Sequence, residues 1–302
     1  SPQFLAAAEK FRVHVPHYYL GLIDKNNLQD PIARMALPHK EELNFFGTGL
    51  RDPIGDLAHQ VAPRLTHRYP DRALLHVTNL CPMYCRFCFR KNLMNEREAE
   101  LYAGDFSTAF TYLRAHPEVQ ELILSGGDPW MLSDEKLSAL VDQVAQIPWI
   151  KRLRFHTRMP VTLPSRITEG LLQAILRPGK FQTIVVTHFN HPQELSAEAI
   201  EGIARLRTGL PSTGGGILLL NQSVLLAGVN DDLKVLQELF LALGNIGVIP
   251  YYLHHCDLVA GAEYFRTSLA RGQELWHGLR GKIPQAHRPG TGVRRLSVDE
   301  GG

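Results

Sequence analysis

Short runs of apolar residues recur along the chain from residue 72 onward, and each is followed by a segment with the apolar spacing of a helix. Runs of this length suit buried strands, and their alternation with helices is typical of a parallel sheet covered by helices. We predict six strands, at 72–78, 121–125, 152–157, 183–188, 217–226 and 248–253. The intervening helices are predicted at 106–116, 133–146, 168–176, 196–208, 232–244 and 267–279.

Six strand–helix units are too few for a closed eight-stranded barrel, so the pattern predicts an α/β fold with a partial (β/α)6 barrel of the TIM type. Ser133, Thr168 and Ser196 stand where helix N-caps are expected. The segment 1–65 is interrupted by prolines and has weak strand signals, which predicts a helical N-terminal extension. Residues 66–280 would form the barrel, and the segment 281–302 would be a non-barrel tail that closes the barrel mouth.

Charge and composition exclude several classes of protein. The 302 residues include 32 Lys and Arg and 30 Asp and Glu, so neither a nucleic-acid partner nor a membrane-surface partner is expected. No apolar run approaches the roughly 18 residues of a transmembrane helix, and we expect no secretory signal. Three of the four cysteines bunch at 81, 85 and 88, unlike a disulfide framework, which favours a reducing cytoplasm.

Polar and reactive residues follow every predicted strand. Ligands bind at the carboxyl ends of the strands in parallel α/β folds, so we predict an active site at this face. The residues, in strand order, are Thr78 and Asn79, the segment 125–128, His156 to Arg158, Thr187 to His191, Asn221 to Ser223, and His254 to Asp257.

Cys81, Cys85 and Cys88 have the spacing C-x3-C-x2-C on one loop. Three thiolates can hold three irons of a [4Fe–4S] cluster and leave the fourth iron open to a small molecule. A structural zinc site usually needs a fourth protein ligand, and this loop contains none. Zinc or chance clustering stays an alternative, and with it a non-enzymatic scaffold that binds a partner.

The cysteine loop after the first barrel strand resembles that of the radical S-adenosylmethionine (SAM) superfamily. The resemblance implies a radical SAM type of partial barrel, a [4Fe–4S] cluster on the three cysteines, and SAM on the open iron. Ser125-Gly126-Gly127-Asp128 looks like the glycine-rich SAM motif of that superfamily.

Further motifs cover nearly the whole chain and resemble the lysine 2,3-aminomutase family. They include HRYPDR at 67–72, CPMYCRFCFR at 81–90, LSGGDP at 124–129, HTRMP at 156–160, THFNHP at 187–192 and NQSVLLAGVND at 221–231. That family joins SAM radical chemistry to pyridoxal phosphate (PLP). The resemblance therefore implies conversion of L-lysine to β-lysine, with flavodoxin or ferredoxin as a suitable electron donor.

The resemblance also implies roles for individual residues. The PLP phosphate would be bound by Arg68, Tyr69 and Arg72, and the substrate α-carboxylate by Arg90. SAM would contact Ser125, Gly126, Gly127, Asp128, His188 and Gln222. The substrate ε-ammonium would lie between Asp257 and Asp299, and this pair of carboxylates favours lysine over an acidic amino acid.

The chain departs from the family in two places. The family has its PLP-binding lysine just beyond the position of Asp299, and the printed sequence has none there. Either that lysine lies in a further segment, which we favour, or PLP binds without it, or the protein has lost PLP. His254 replaces a family tyrosine, and in this the chain is similar to the elongation-factor-P lysine aminomutase branch of the family. The segments 256–258 and 265–267, in contrast, favour the enzymes that act on free lysine.

Overall fold

The computed structural model describes residues 2–43, 49–96, 105–210 and 216–292. Its central element is a nine-stranded sheet in which the strands follow one another in sequence order. The strands are β1 (Gln60–Ala62), β2 (Leu65–Tyr69), β3 (Arg72–Thr78), β4 (Glu121–Gly126), β5 (Arg152–His156), β6 (Gln182–Thr187), β7 (Leu218–Leu225), β8 (Ile249–His255) and β9 (Gly290–Gly292).

Strands β3 to β9 are parallel to one another, while β1 and β2 form an antiparallel hairpin beside β3. The six predicted strands correspond to β3–β8 and are confirmed, with ends that differ by at most two residues. Because all six run in the same direction, their carboxyl ends meet at one face, as the partial barrel prediction requires.

The predicted helices are also confirmed, as α5, α6, α8, α9, α10 and α11. Their side-chain caps are those expected: Ser133 accepts a hydrogen bond from the amide of Lys136 at 3.4 Å, and Thr168 and Ser196 cap α8 and α9 in the same way. The described helices are α1 (Pro2–Lys10), α2 (His17–Leu20), α3 (Pro31–Ala36), α4 (Lys91–Glu96), α5 (Ser107–Ala115), α6 (Asp134–Ala145), α7 (Met159–Thr162), α8 (Glu169–Ile175), α9 (Ala197–Thr208), α10 (Leu233–Asn245) and α11 (Leu269–Gly278). None of them is long and apolar enough to cross a lipid bilayer.

The sheet curls into a partial barrel with a different environment on each face. The outer face packs on the helices in the main core, which contains Leu122, Leu124 and Val185. On the inner face, the Arg154 guanidinium of β5 lies 5.8 Å from the ring centre of Tyr251 on β8, although β6 and β7 stand between these strands. A flat sheet would not allow that contact.

Three strands were not predicted. The hairpin of β1 and β2 lies within the segment expected to be helical and at its border. It was not predicted because Pro63 interrupts the short alternation of apolar and polar residues on either side of it. The described part of the C-terminal segment is not the non-barrel tail we expected: Gly290 pairs in parallel with Tyr252, which makes β9 the last strand of the sheet. Since β9 is Gly-Thr-Gly, it carries no apolar signal. The division of the chain into an extension, a barrel and a closing segment stays a prediction.

A buried charge cluster fastens the N-terminal extension to the barrel. The carboxylate of Glu42 is fully buried and accepts hydrogen bonds from the Arg86 guanidinium and, at 2.6 Å, from Lys91 Nζ. Burial lowers the pKa of Lys91 to about 8, against the opposing effect of the Glu42 carboxylate. Arg86 lies in the cysteine loop and Lys91 begins α4. The Glu42 carboxylate therefore holds both ends of the segment 86–91, which connects the loop to α4.

We therefore expect Glu42→Gln to lower the free energy of unfolding by about 3–5 kcal/mol, because it leaves two buried cations without their anion. Chemical denaturation measures the change. The control is Glu201→Gln, which removes a solvent-exposed pair with Arg205 on α9 and should cost at most about 0.5 kcal/mol. An equal, small effect of the two substitutions would contradict the structural role of Glu42.

Candidate active site

The loop that carries Cys81, Cys85 and Cys88 leaves the carboxyl end of β3, at the mouth of the barrel. All three thiols are free and half-buried. The N-terminal extension holds this loop from the other side, since the amide of Tyr84 donates to the His14 carbonyl at 3.1 Å and that of Arg86 to the Met35 carbonyl at 2.9 Å. These two hydrogen bonds tie the cysteine loop to the N-terminal extension.

Cys81 and Cys88 stand in surroundings that disfavour the thiolate. Burial raises the pKa of Cys88 to about 11, and Cys85 adds to the effect. Burial also raises the pKa of Cys81 well above its usual value, and the nearby Cys88 and Asp128 raise it further. A cationic iron centre would reverse this balance, and thiolates are the ligands that iron–sulfur clusters use. Within the described ranges, no three Cys, His, Asp or Glu side chains surround a position for a single metal ion.

A glycine turn at the end of β4 clasps the start of the cysteine loop. The amide of Gly127 donates to the Thr78 carbonyl at 2.6 Å, and that of Asp128 donates to the Leu80 carbonyl at 2.7 Å. A Cβ at residue 127 would lie 2.1 Å from the Leu80 oxygen, which no side chain allows, and Gly126 has φ +113°. The two glycines are therefore required for contact between this turn and the residue that precedes Cys81.

The Asp128 side chain is held by residues that follow β4 and β5. It accepts hydrogen bonds from Thr157 Oγ1 at 2.8 Å, from the Trp130 amide at 3.0 Å and from the Arg158 amide at 2.7 Å. Burial raises its pKa to about 6, while these donors favour the ionised form. Asp128, one of the candidate SAM residues, thus positions the turn through its side chain.

Arg158 contacts the cysteine loop directly, although no role was predicted for it. Its Nη1 donates to Cys85 Sγ at 2.8 Å, and its Nη2 donates to Glu194 at 2.6 Å. The Tyr19 hydroxyl donates to the same oxygen of Glu194 at 2.6 Å. The sequence indicated a functional position only through the place of Arg158 directly after a predicted strand. Its partners Cys85 and Glu194 are too distant in the sequence for the contacts to be predicted.

His188 carries a buried polar atom that suits a ligand. Its Nε2 finds no hydrogen-bond partner among the described residues, and its ring packs edge-on against Phe87 of the cysteine loop, with 5.7 Å between the ring centres. Burial holds the pKa of His188 well below its ordinary value, and Arg158 adds to this, so the imidazole is neutral. Gln222 lies on β7, where Asn221 and Ser223 face outward; because strand side chains alternate, Gln222 faces the barrel interior.

Arg90, the candidate ligand of the substrate carboxylate, lies beside the glycine turn. Its Nη2 is 2.9 Å from Asp56 Oδ2, and its Nη1 is 3.5 Å from both Ser125 Oγ and the Gly126 carbonyl. With Asp56 and Gly126 it lines a cavity of about 70 Å³. Asp56 was not identified from the sequence.

The half-buried Asp257 follows β8, on a segment that contacts the start of α4. Lys91 Nζ donates to the Gly261 carbonyl at 2.8 Å, and Asn92 Nδ2 donates to the Ala260 carbonyl at 3.3 Å. The structure therefore brings the Asp257 segment to the helix that begins next to Arg90. Asp299 lies outside the described residues.

The candidate PLP residues Arg68, Tyr69 and Arg72 lie at the opposite end of β3 from the cysteines. The rise per residue of a strand places about 20 Å between the ends of β3. The Arg68 and Arg72 guanidiniums stand 5.9 Å and 4.3 Å from the centre of the Tyr69 ring. Two cations at one place fit a phosphate dianion, so the site, if occupied, lies toward the base of the barrel.

Comparisons with known proteins identify relatives of this chain. A family model described as a 4Fe-4S single cluster domain matches residues 71–156, which include the cysteine loop and the glycine turn. The L-lysine 2,3-aminomutase of Clostridium subterminale is 39% identical over 295 residues, 97% of this chain and 68% of that protein. The L-lysine 2,3-aminomutase of Escherichia coli strain K12 is 40% identical over 274 residues, 91% of this chain and 78% of that protein.

Among solved structures, a radical SAM methyltransferase from Sphaerobacter thermophilus superposes with a TM-score of 0.49 at 20% identity. The superposition covers 75% of this chain and 67% of the methyltransferase.

The clasp between the glycine turn and the cysteine loop makes a direct prediction. Gly127→Ala should displace the loop, because the new Cβ collides with the Leu80 carbonyl. We expect a lower melting temperature and loss of most of the iron bound on anaerobic reconstitution, measured as iron per chain. Gly216→Ala is the control, since its Cβ would meet no atom of the described residues within 4 Å. Full iron content in Gly127→Ala would show that the clasp does not shape the cluster site.

Proposed function

Because this chain belongs to the lysine 2,3-aminomutase family, we propose that it converts L-lysine to β-lysine by moving the α-amino group to the neighbouring carbon. The observation that carries the proposal is the position of the three cysteines. They lie at the barrel mouth, clasped to the glycine turn, with Arg90 on one side and the orphan Nε2 of His188 on the other. Candidate ligands for a cluster, for SAM and for a carboxylate thus lie at one face of the barrel, which supports the proposal.

The cofactors supply the difficult chemistry: the [4Fe–4S] cluster and SAM provide a carbon-centred radical, and PLP stabilises the migrating amino group. The protein holds and shields these groups. Cys81, Cys85 and Cys88 bind the cluster, and the backbone of Ser125 to Asp128 forms the wall beside SAM. His188 and Gln222 face the same space from β6 and β7 and would orient SAM.

The substrate is held at its two charged ends. The Arg90 guanidinium forms two parallel hydrogen bonds to a carboxylate, the geometry to which its planar fork is suited. Asp257 attracts the ε-ammonium and, with Asp299, would explain a preference for lysine. Holding both ends fixes the carbon chain relative to the mouth, which is the main contribution a protein makes to such a reaction.

Arg68, Tyr69 and Arg72 would bind the PLP phosphate at the amino end of β3. Their paired guanidiniums support this assignment. The lysine that the family uses for PLP is not identified in this chain, so PLP dependence rests on these residues and on the family.

Electron supply and location follow from the chemistry proposed. Cleavage of SAM requires one electron, for which a flavodoxin or a ferredoxin is suited. Free, clustered cysteines are stable in a reducing compartment, which favours the cytoplasm.

A second candidate is the modification of lysine destined for elongation factor P. His254, at the position of a family tyrosine, favours it, because the resemblance to the elongation-factor-P lysine aminomutase branch includes this histidine. Accumulation of β-lysine on elongation factor P in cells that express this protein would distinguish this role from the free-lysine role.

Anaerobic reconstitution tests the cofactor assignment. We expect about four irons per chain, the visible absorption of an iron–sulfur cluster, and formation of 5′-deoxyadenosine when SAM and a reductant are added. Cys85→Ala should abolish all three, whereas Cys256→Ala, a buried cysteine away from the loop, should leave them intact. One zinc per chain and no 5′-deoxyadenosine would contradict the proposal and favour a structural scaffold.

Substrate selection is tested at Asp257. Asp257→Ala should raise KM for lysine by roughly ten-fold with a smaller change in kcat, because one charged contact to the bound substrate is lost. Asp142→Ala is the control, since Asp142 pairs only with Arg177 on the helical surface. An unchanged KM for lysine would remove the role assigned to Asp257.

A further inference from the structure

Arg158 donates a hydrogen bond to one of the three candidate cluster ligands. Its Nη1 lies 2.8 Å from Cys85 Sγ. A guanidinium can only donate hydrogen bonds, so the sulfur is the acceptor, a role that a thiolate on iron can also fill. The arginine within the cysteine loop, Arg86, donates instead to Glu42 and to the Arg12 carbonyl, which suits a structural role.

Other parts of the fold hold the Arg158 guanidinium in this position. Its Nε donates to the His188 carbonyl at 3.2 Å, and its Nη2 donates to Glu194 Oε1 at 2.6 Å. The Tyr19 hydroxyl donates to the same Glu194 oxygen, and the Arg158 amide is itself bound by Asp128 at 2.7 Å. Because these partners come from several segments, the guanidinium cannot leave Cys85 without breaking buried hydrogen bonds.

Burial increases the effect that this cation has on the sulfur. The Arg158 side chain is 7% exposed and that of Glu194 is fully buried, so little water screens the charges. The reduction potential of an iron–sulfur cluster depends on its net charge and on hydrogen bonds to its sulfurs. One-electron reduction adds a negative charge to the cluster and its thiolates. A cation bound to one thiolate therefore stabilises the reduced form more than the oxidised form.

We propose that Arg158 raises the reduction potential of the cluster through its hydrogen bond to Cys85, and that Glu194 positions the guanidinium and offsets part of its charge. The inference rests on the proposed function, which places a [4Fe–4S] cluster on the three cysteines. The step concerned is the transfer of one electron from the external reductant to the oxidised cluster. Arg158 is a positioning residue in this step.

The test is a redox titration of the reconstituted protein, followed by the EPR signal of the reduced cluster. SAM is left out, so that its cleavage does not consume the reduced cluster. In Arg158→Met the equilibrium constant for one-electron reduction should fall about ten-fold, which corresponds to a potential lower by about 59 mV. The control is Arg177→Met, which loses the same charge from a pair with Asp142 on the helical surface and should keep the wild-type potential.

Glu194→Gln should change the potential in the opposite direction. It removes the carboxylate that offsets the guanidinium, so the same equilibrium constant should rise, although by a smaller factor than it falls in Arg158→Met. Arg158→Lys keeps the charge and should lie between Arg158→Met and the wild type. A network that only supported the loop would lower iron content or melting temperature in these variants without shifts of opposite sign.

A double variant keeps the test decisive if Arg158→Met holds less iron because Glu194 is left buried without a cation. Arg158→Met combined with Glu194→Gln removes both charges and should lower the potential by less than Arg158→Met alone. A wild-type potential in both the double variant and Glu194→Gln overturns the inference, as does loss of the cluster in every Arg158 variant. Formation of 5′-deoxyadenosine by the wild-type protein would then leave the proposed function standing. A wild-type chain that takes up no iron–sulfur cluster overturns both.

Discussion

The candidate site depends on one close approach of two backbone segments. The turn after β4 lies so near the segment after β3 that residue 127 has no room for a Cβ, and two short amide–carbonyl hydrogen bonds close the gap. Parallel neighbours bring the two strand ends together, and the absence of side chains at Gly126 and Gly127 allows final contact. This contact positions Cys81, and through it the rest of the loop, against the place where a nucleotide-bearing ligand would lie.

A second set of contacts holds the other side of the loop. Arg158 reaches from the end of β5 to Cys85 while Glu194 and Tyr19 hold its guanidinium from behind. The N-terminal extension therefore does more than cover the barrel: it contributes a hydroxyl to the support of a cluster ligand. A buried guanidinium that is held by a buried carboxylate restrains the loop.

Local patterns account for what could be predicted. Apolar runs indicated β3 to β8, and serine and threonine caps marked the helices. The spacing of the cysteines predicted a cluster loop, and the structure places that loop at the barrel mouth. The remainder arises from contacts between distant segments. Asp56 meets Arg90 across 34 positions in the chain and Arg158 meets Cys85 across 73. Strand β9 is too poor in apolar residues to signal a strand. Spacing along the sequence carries no information about such pairs, because the fold alone creates them.

The buried cations around the mouth differ in how deeply their carboxylate partners are buried. This difference distinguishes arginines with a structural role from an arginine that is suited to bind a ligand. Glu42 and Glu194 are fully buried, so the cations on them cannot exchange partners with solvent or ligand. Asp56, the partner of Arg90, keeps 15% of its side chain exposed and borders a cavity. Exchange of one carboxylate for another costs little where water reaches the pair and much where it does not. Arg90 is therefore the arginine of this group that is suited to receive a carboxylate from outside.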